Sequence, residues 1–125
     1  MKKLTDKAFD RIVERAIYRI PLEIRKHLEN IQVSVRSRPS RKMLKALNLP
    51  HQNVLLGLFE GVPLNEQSIT NPPLFPATIF IFQEPLQEIC DTIEELEKQI
   101  EITVVHEIAH AIGIDEDRLK ELGYG

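Results

Sequence analysis

The strongest constraint on this chain is a thirteen-residue stretch, 102–114, that reads Ile-Thr-Val-Val-His-Glu-Ile-Ala-His-Ala-Ile-Gly-Ile. Its only ionisable residues are His106, Glu107 and His110. Thr92 and Glu95 upstream form a capping-box pattern, with Asp91 an alternative cap. They predict a helix from about Ile93 to Ile112, roughly 30 Å long at about 1.5 Å per residue. Gly113 is a natural residue to end it. The first half carries Glu94, Glu95, Glu97 and Lys98 and should face water. The second half is apolar on nearly every side and should be buried. Burying three ionisable groups costs several kcal/mol unless partners compensate, and one divalent cation compensates all three.

His106-Glu107-Ile108-Ala109-His110 is an H-E-x-x-H motif. Histidines at i and i+4 lie on one helical face, one turn apart. Their imidazoles can converge on a single Zn²⁺ at about 2.0–2.1 Å. Glu107, rotated about 100° from His106, can reach a water on that metal without ligating it, the general-base position. The competing reading is a pair of hydrogen-bonded core histidines with Glu107 as their partner. Gly113 can turn the chain back with positive φ. Glu116 beyond it stands at the third-ligand position of the pattern H-E-x-x-H-x-x-G-x-x-ligand, and a carboxylate can fill that place. Asp115 and Asp117 remain alternatives, and Asp115 is also a good N-cap for a short helix over Glu116–Leu122.

The rest of the chain bounds the answer. With 125 residues, one domain spanning 1–125 is expected. Cys90 is the single cysteine, so no intramolecular disulfide forms, and a small buried hydrophobe is its expected role. Net charge is −3, which argues against a dedicated nucleic-acid surface. The cluster Arg36, Arg38, Arg41, Lys42 and Lys45 reads as a solvated face. No apolar segment follows Met1-Lys2-Lys3, and no run approaches the roughly 18 apolar residues of a membrane span. A cytoplasmic location is therefore the default.

Helical periodicity covers residues 4–19, and Leu22 to Leu28 can make a short helix after Pro21. Ile31 to Arg36 alternates as a strand, and Ser40 can cap a helix over Arg41–Leu47. Val54–Phe59 and Ala77–Phe82 are expected strands. Residues 61–76, with four prolines, read as a loop or lid, and Pro85–Cys90 as a helical turn.

Beyond single motifs, the chain resembles the minimal zincins, small single-domain bacterial proteins of zinc-metallopeptidase type. The likeness lies in Val104-Val105-His106-Glu107-Ile108-Ala109-His110, Gly113-Ile114, Asp117-Arg118-Leu119 and Glu121-Leu122-Gly123-Tyr124. It extends to Leu56-Gly57-Leu58-Phe59-Glu60-Gly61-Val62-Pro63-Leu64. The resemblance implies an α+β fold in which a small mixed sheet packs against helices, with the motif helix beneath a substrate groove. It implies zinc on His106 and His110, with Glu107 as base. The family usually has aspartate where this chain has Glu116, and often a second histidine where it has Ala111. Metzincins need a methionine turn after the motif, and Met1 and Met43 both precede it.

These readings lead to a zinc-dependent metallopeptidase hydrolysing peptide bonds in a peptide or protein substrate. The alternative is a metal-stabilised binding or regulatory module without turnover. A zinc ribonuclease is disfavoured: that motif carries a third histidine and no glutamate after the first. Tyr124, Arg118, His27 and His51 are candidates for stabilising an oxyanion by residue type only.

Overall fold

The structure, a computed structural model, describes residues 1–49, 55–61 and 77–125. The expected loop or lid falls mostly within 62–76, and His51 and Val54 also lie outside the described residues.

Helix α1 spans Asp6–Arg19, and the Thr5 hydroxyl caps it by accepting from Ala8 N. Phe9, Ile12, Val13 and Ala16 form its buried stripe. The stripe packs on α5, Ile93–Ile112, whose Leu96, Ile100, Val104 and Ile108 are fully buried. Each such side chain contributes about 1.5–3 kcal/mol of burial, so this helix pair is the main brace for the motif.

The expected helix over Leu22–Leu28 is α-helical only as α2, Leu22–Arg25, and continues as a 3-10 turn over Lys26–Asn30. Strand β1 is Gln32–Arg36. Ser40 caps α3, Arg41–Ala46, by accepting from Met43 N. β2 is Gly57–Glu60 and β3 is Thr78–Phe82.

These strands form one mixed sheet in the order β1-β3-β2. β1 runs parallel to β3, with Val33 opposite Ile79, and β2 runs antiparallel, with Gly57 opposite Ile81. The central strand is buried on both faces, since Ile79, Ile81 and Phe82 are all inaccessible. That explains its unbroken apolar run. Among the described residues β2 is a sheet edge, and it lies beside α5.

Helix α4 begins earlier than its sequence suggests, covering Gln83–Ile89. Pro85 sits in its first turn, where a missing N–H costs nothing. Gln83 and Gln87 are buried, and their amides are satisfied by the backbone of residues 2–4. Gln83 Nε2 donates to Leu4 O, Gln87 Nε2 donates to Lys2 O, and Gln87 Oε1 accepts from Leu4 N. Asp115 caps α6, Glu116–Glu121, by accepting from Arg118 N. The fold is thus α+β, six helices around a three-stranded mixed sheet among the described residues.

Candidate metal centre

The Thr92 hydroxyl accepts from Glu95 N at 3.1 Å and starts α5 where the sequence predicts. Glu95 reaches back to Asp91 N rather than to Thr92 N. Gly113 ends the helix at φ 78°, and the N–H groups of Gly113 and Ile114 both bond Ala109 O. The helix therefore presents His106, Glu107 and His110 within its last two turns.

Their surroundings differ from the expected uniform burial. The Glu107 side chain is 13% exposed and His110 is 68% exposed, while His106 is half-buried. Burial therefore desolvates Glu107 and, in part, His106, and leaves His110 in water. The apolar residues fill three sides of the helix, and His110 points out of the fourth.

Glu107 lies against β2. Its Oε1 accepts the Phe59 N–H at 2.8 Å. In the register of β2 on β3, Leu56 O already accepts from Phe82 N. The groups of the alternate residues point away from β3, which brings Phe59 N–H toward α5. Gly57 makes this approach possible: a Cβ there would stand 2.6 Å from Thr103 Cγ2 and 3.6 Å from Glu107 Cγ. His110 Nδ1 is 3.5 Å from Glu107 Oε1, too far for a strong hydrogen bond. A shallow cleft of about 320 Å³ runs between β2 and α5, bounded by Leu56, Gly57, Gln99, Thr103, His106 and Glu107.

His106 Nε2 is 2.7 Å from Tyr124 O. A carbonyl only accepts, so Nε2 carries the proton in this contact. The Tyr124 ring is buried, and its hydroxyl donates to Glu101 Oε2 at 2.6 Å. Burial first, and then this bond to a carboxylate, push the phenol well above its ordinary pKa. The hydroxyl is thus committed to Glu101. Arg118 pairs with Glu121 on the surface of α6, and His27 lies in the 3-10 turn.

The third-ligand candidates separate cleanly. Asp115 uses Oδ1 as the α6 cap at 2.9 Å from Arg118 N. Glu116 and Asp117 are exposed in the first turn of α6. Among the described residues no group of three or more histidine, cysteine or acidic side chains is assembled to hold a metal. His110 Nδ1 lies 3.5 Å from Glu107 Oε1, His106 Nε2 lies on Tyr124 O, and Glu116 stands exposed on α6. Two imidazoles one turn apart fit the nitrogen preference of zinc. They supply two ligands of the three or more such a site uses.

Three groups at the site were not expected from the sequence. Glu101, only 3% exposed, is a carboxylate set between Ile100 and Ile102, and that apolar setting is the signal that would have found it. The Phe59 N–H and the Tyr124 carbonyl are backbone groups and leave no mark on residue identity.

Residues 28–125 match the family model described as zincin-like metallopeptidase. No curated protein matches in sequence. A conserved hypothetical protein from T. thermophilus has a similar structure, with TM-score 0.54 at 20% identity over 95% of this chain and 97% of that one. That likeness concerns the fold alone. No helix among the described residues is long and apolar enough to cross a membrane. The family model covers well over half the chain and includes the whole motif helix, so the protein belongs to the zincin-like metallopeptidase family.

Proposed function

We propose that this protein is a zinc-dependent peptidase in which His106 and His110 hold the metal and Glu107 is the general base. One observation carries the reading: the Glu107 carboxylate forms a wall of the cleft between the motif helix and the edge strand β2. When bound, zinc supplies Lewis acidity, lowering the pKa of water and polarising a carbonyl. Glu107 takes the proton from the attacking water and returns it to the leaving amine. Phe59 N–H holds one carboxylate oxygen at 2.8 Å and so fixes the base against the strand. Among the described residues β2 has an unpaired edge whose Phe59 N–H is already held by Glu107, so an extended peptide substrate adding to this strand would take its main-chain register from the groups beyond that bond. Glu116 remains the proposed third ligand, and reaching the site requires α6 or the Glu116 side chain to rearrange on metal binding. The protein works in the cytoplasm in this reading.

A second reading is a metal-stabilised binding module. It is favoured by the third ligand's lying apart from the histidines among the described residues. Glu107→Gln separates the two. In the peptidase, the variant keeps zinc and loses peptide cleavage by about 10²–10⁴-fold, the worth of a general base. Cleavage that persists in the variant at the wild-type rate rules out Glu107 as the base. A wild-type protein that binds zinc and cleaves no member of a diverse peptide library favours the binding module.

A further inference from the structure

Helix α6 ends in a turn built from two crossed hydrogen bonds. Gly123 N donates to Lys120 O at 3.0 Å and Tyr124 N donates to Leu119 O at 2.8 Å. This is the Schellman pattern, which needs a residue at positive φ. Gly123 supplies it at φ 90°. The turn sends Tyr124 back onto α5, where both of its ends are held. The hydroxyl donates to buried Glu101 Oε2, and the Lys98 ammonium lies 5.7 Å above the ring. Glu101 Oε1 is 3.0 Å from Arg19 Nε on α1, an ion pair without hydrogen-bond alignment. At the other end the Tyr124 carbonyl accepts the His106 Nε2–H. A nitrogen that carries a proton has no lone pair for a metal. His110 is exposed and has no such restraint from residues 123–125 among the described contacts.

We propose that residues 123–125 are a latch on the metal site. While the Tyr124 carbonyl holds His106 Nε2, that nitrogen is withheld, and metal uptake through it requires the latch to open. The proposal rests on His106 being a ligand. Latch closure and metal binding then oppose each other by the same factor in both directions. Losing one net hydrogen bond's worth of closure strengthens metal binding roughly three- to tenfold. The opposite arrangement gives the opposite sign. If the metal used Nδ1 of His106, the carbonyl would orient the ring as an outer partner, and loosening the tail would weaken binding.

The test uses the full chain with two variants. Tyr124→Phe removes the bond to Glu101 and keeps the ring. Gly123→Ala strains the turn, and its added Cβ meets nothing within 4 Å. Zinc affinity is read by chelator competition. The ring nitrogens of His106 are read by ¹⁵N NMR, metal-free and zinc-loaded, at a pH where the imidazole is neutral. In metal-free wild type, His106 should be the Nε2–H tautomer, and zinc loading should shift that proton to Nδ1. Both variants should bind zinc roughly three- to tenfold more tightly. Equal or weaker binding in both variants overturns the latch, as does an Nε2–H that survives zinc loading. If a variant fails to fold, the wild-type tautomer and its change on loading still decide. Zinc uptake by none of the proteins removes the metal reading and the latch together. Uptake with unchanged affinity removes the latch alone.

Discussion

Gly57→Ala probes the contact that brings the edge strand to the motif helix. The new Cβ would stand 2.6 Å from Thr103 Cγ2 and 3.1 Å from Phe80 O. Carbon–carbon contacts are comfortable at about 3.5–4.0 Å, so the overlap with Thr103 is about 1 Å. Neither neighbour yields easily. Thr103 is held in its rotamer by its hydroxyl, which donates to Gln99 O at 2.8 Å. Phe80 O belongs to the central strand, which is paired on both sides. Overpacking of this kind costs about 1–3 kcal/mol, offset by about 0.4–1 kcal/mol from a stiffer unfolded chain. The expected net loss is about 1–2 kcal/mol, or about 3–10 °C in Tm for a chain of this size. Urea denaturation of Gly57→Ala, Thr103→Ser and the double variant measures it. Thr103→Ser removes the clashing methyl and keeps the hydroxyl, so the double-mutant cycle should show a favourable coupling of about 1 kcal/mol. A Gly57→Ala protein as stable as wild type refutes the reasoning. So does a cost that Thr103→Ser leaves unrelieved.

Other predictions concern the charged network beneath the site. Hydrogen bonds from Arg15 and then Arg19 hold the Glu97 carboxyl below its ordinary pKa. A depressed folded pKa means stability that is fully present above the ordinary carboxylate pKa and lost as pH falls through the lowered one. Glu97→Gln should therefore lose less stability than wild type on going from neutral to acidic pH. An unchanged acid limb in urea-midpoint measurements contradicts that assignment. Arg19→Ala strips the buried Glu101 carboxylate of its α1 partner and should lower the urea midpoint at neutral pH, because a buried charge left short of a partner is costly. Glu101 keeps Lys98 at 3.6 Å and the Tyr124 hydroxyl, so restoring the midpoint with Glu101→Gln in the same chain checks that an under-compensated buried charge is the cause.

The long motif helix was legible because every local signal agreed. Thr92 and Glu95 mark its start, Gly113 its end, and the i, i+4 histidines its face. Asp115 and Ser40 were readable as caps for the same reason, since a short side-chain oxygen before a helix satisfies a specific N–H. Boundaries blurred where two structures compete: Leu22–Asn30 switches from α to 3-10 midway, and both share one sequence preference. Apolar flanks implied burial all round α5, yet they do not say which side of a helix has a neighbour. His110 is exposed because the sheet and α1 cover the other faces. The interactions that hold Glu107 and His106 come from the Phe59 N–H and the Tyr124 carbonyl. Backbone groups are common to all residues, so only the fold could reveal them. Glu116 illustrates the converse: its spacing from His110 fits a ligand, but the first turn of α6 sets it in solvent.

The most direct test of the metal site is elemental analysis of purified protein refolded with zinc, beside His106→Ala and His110→Ala. The predicted result is about one zinc per chain in wild type, with affinity lost in each variant as a ligand is removed. Less than about 0.1 zinc per wild-type chain, or equal zinc in all three proteins, would contradict metal binding by this histidine pair.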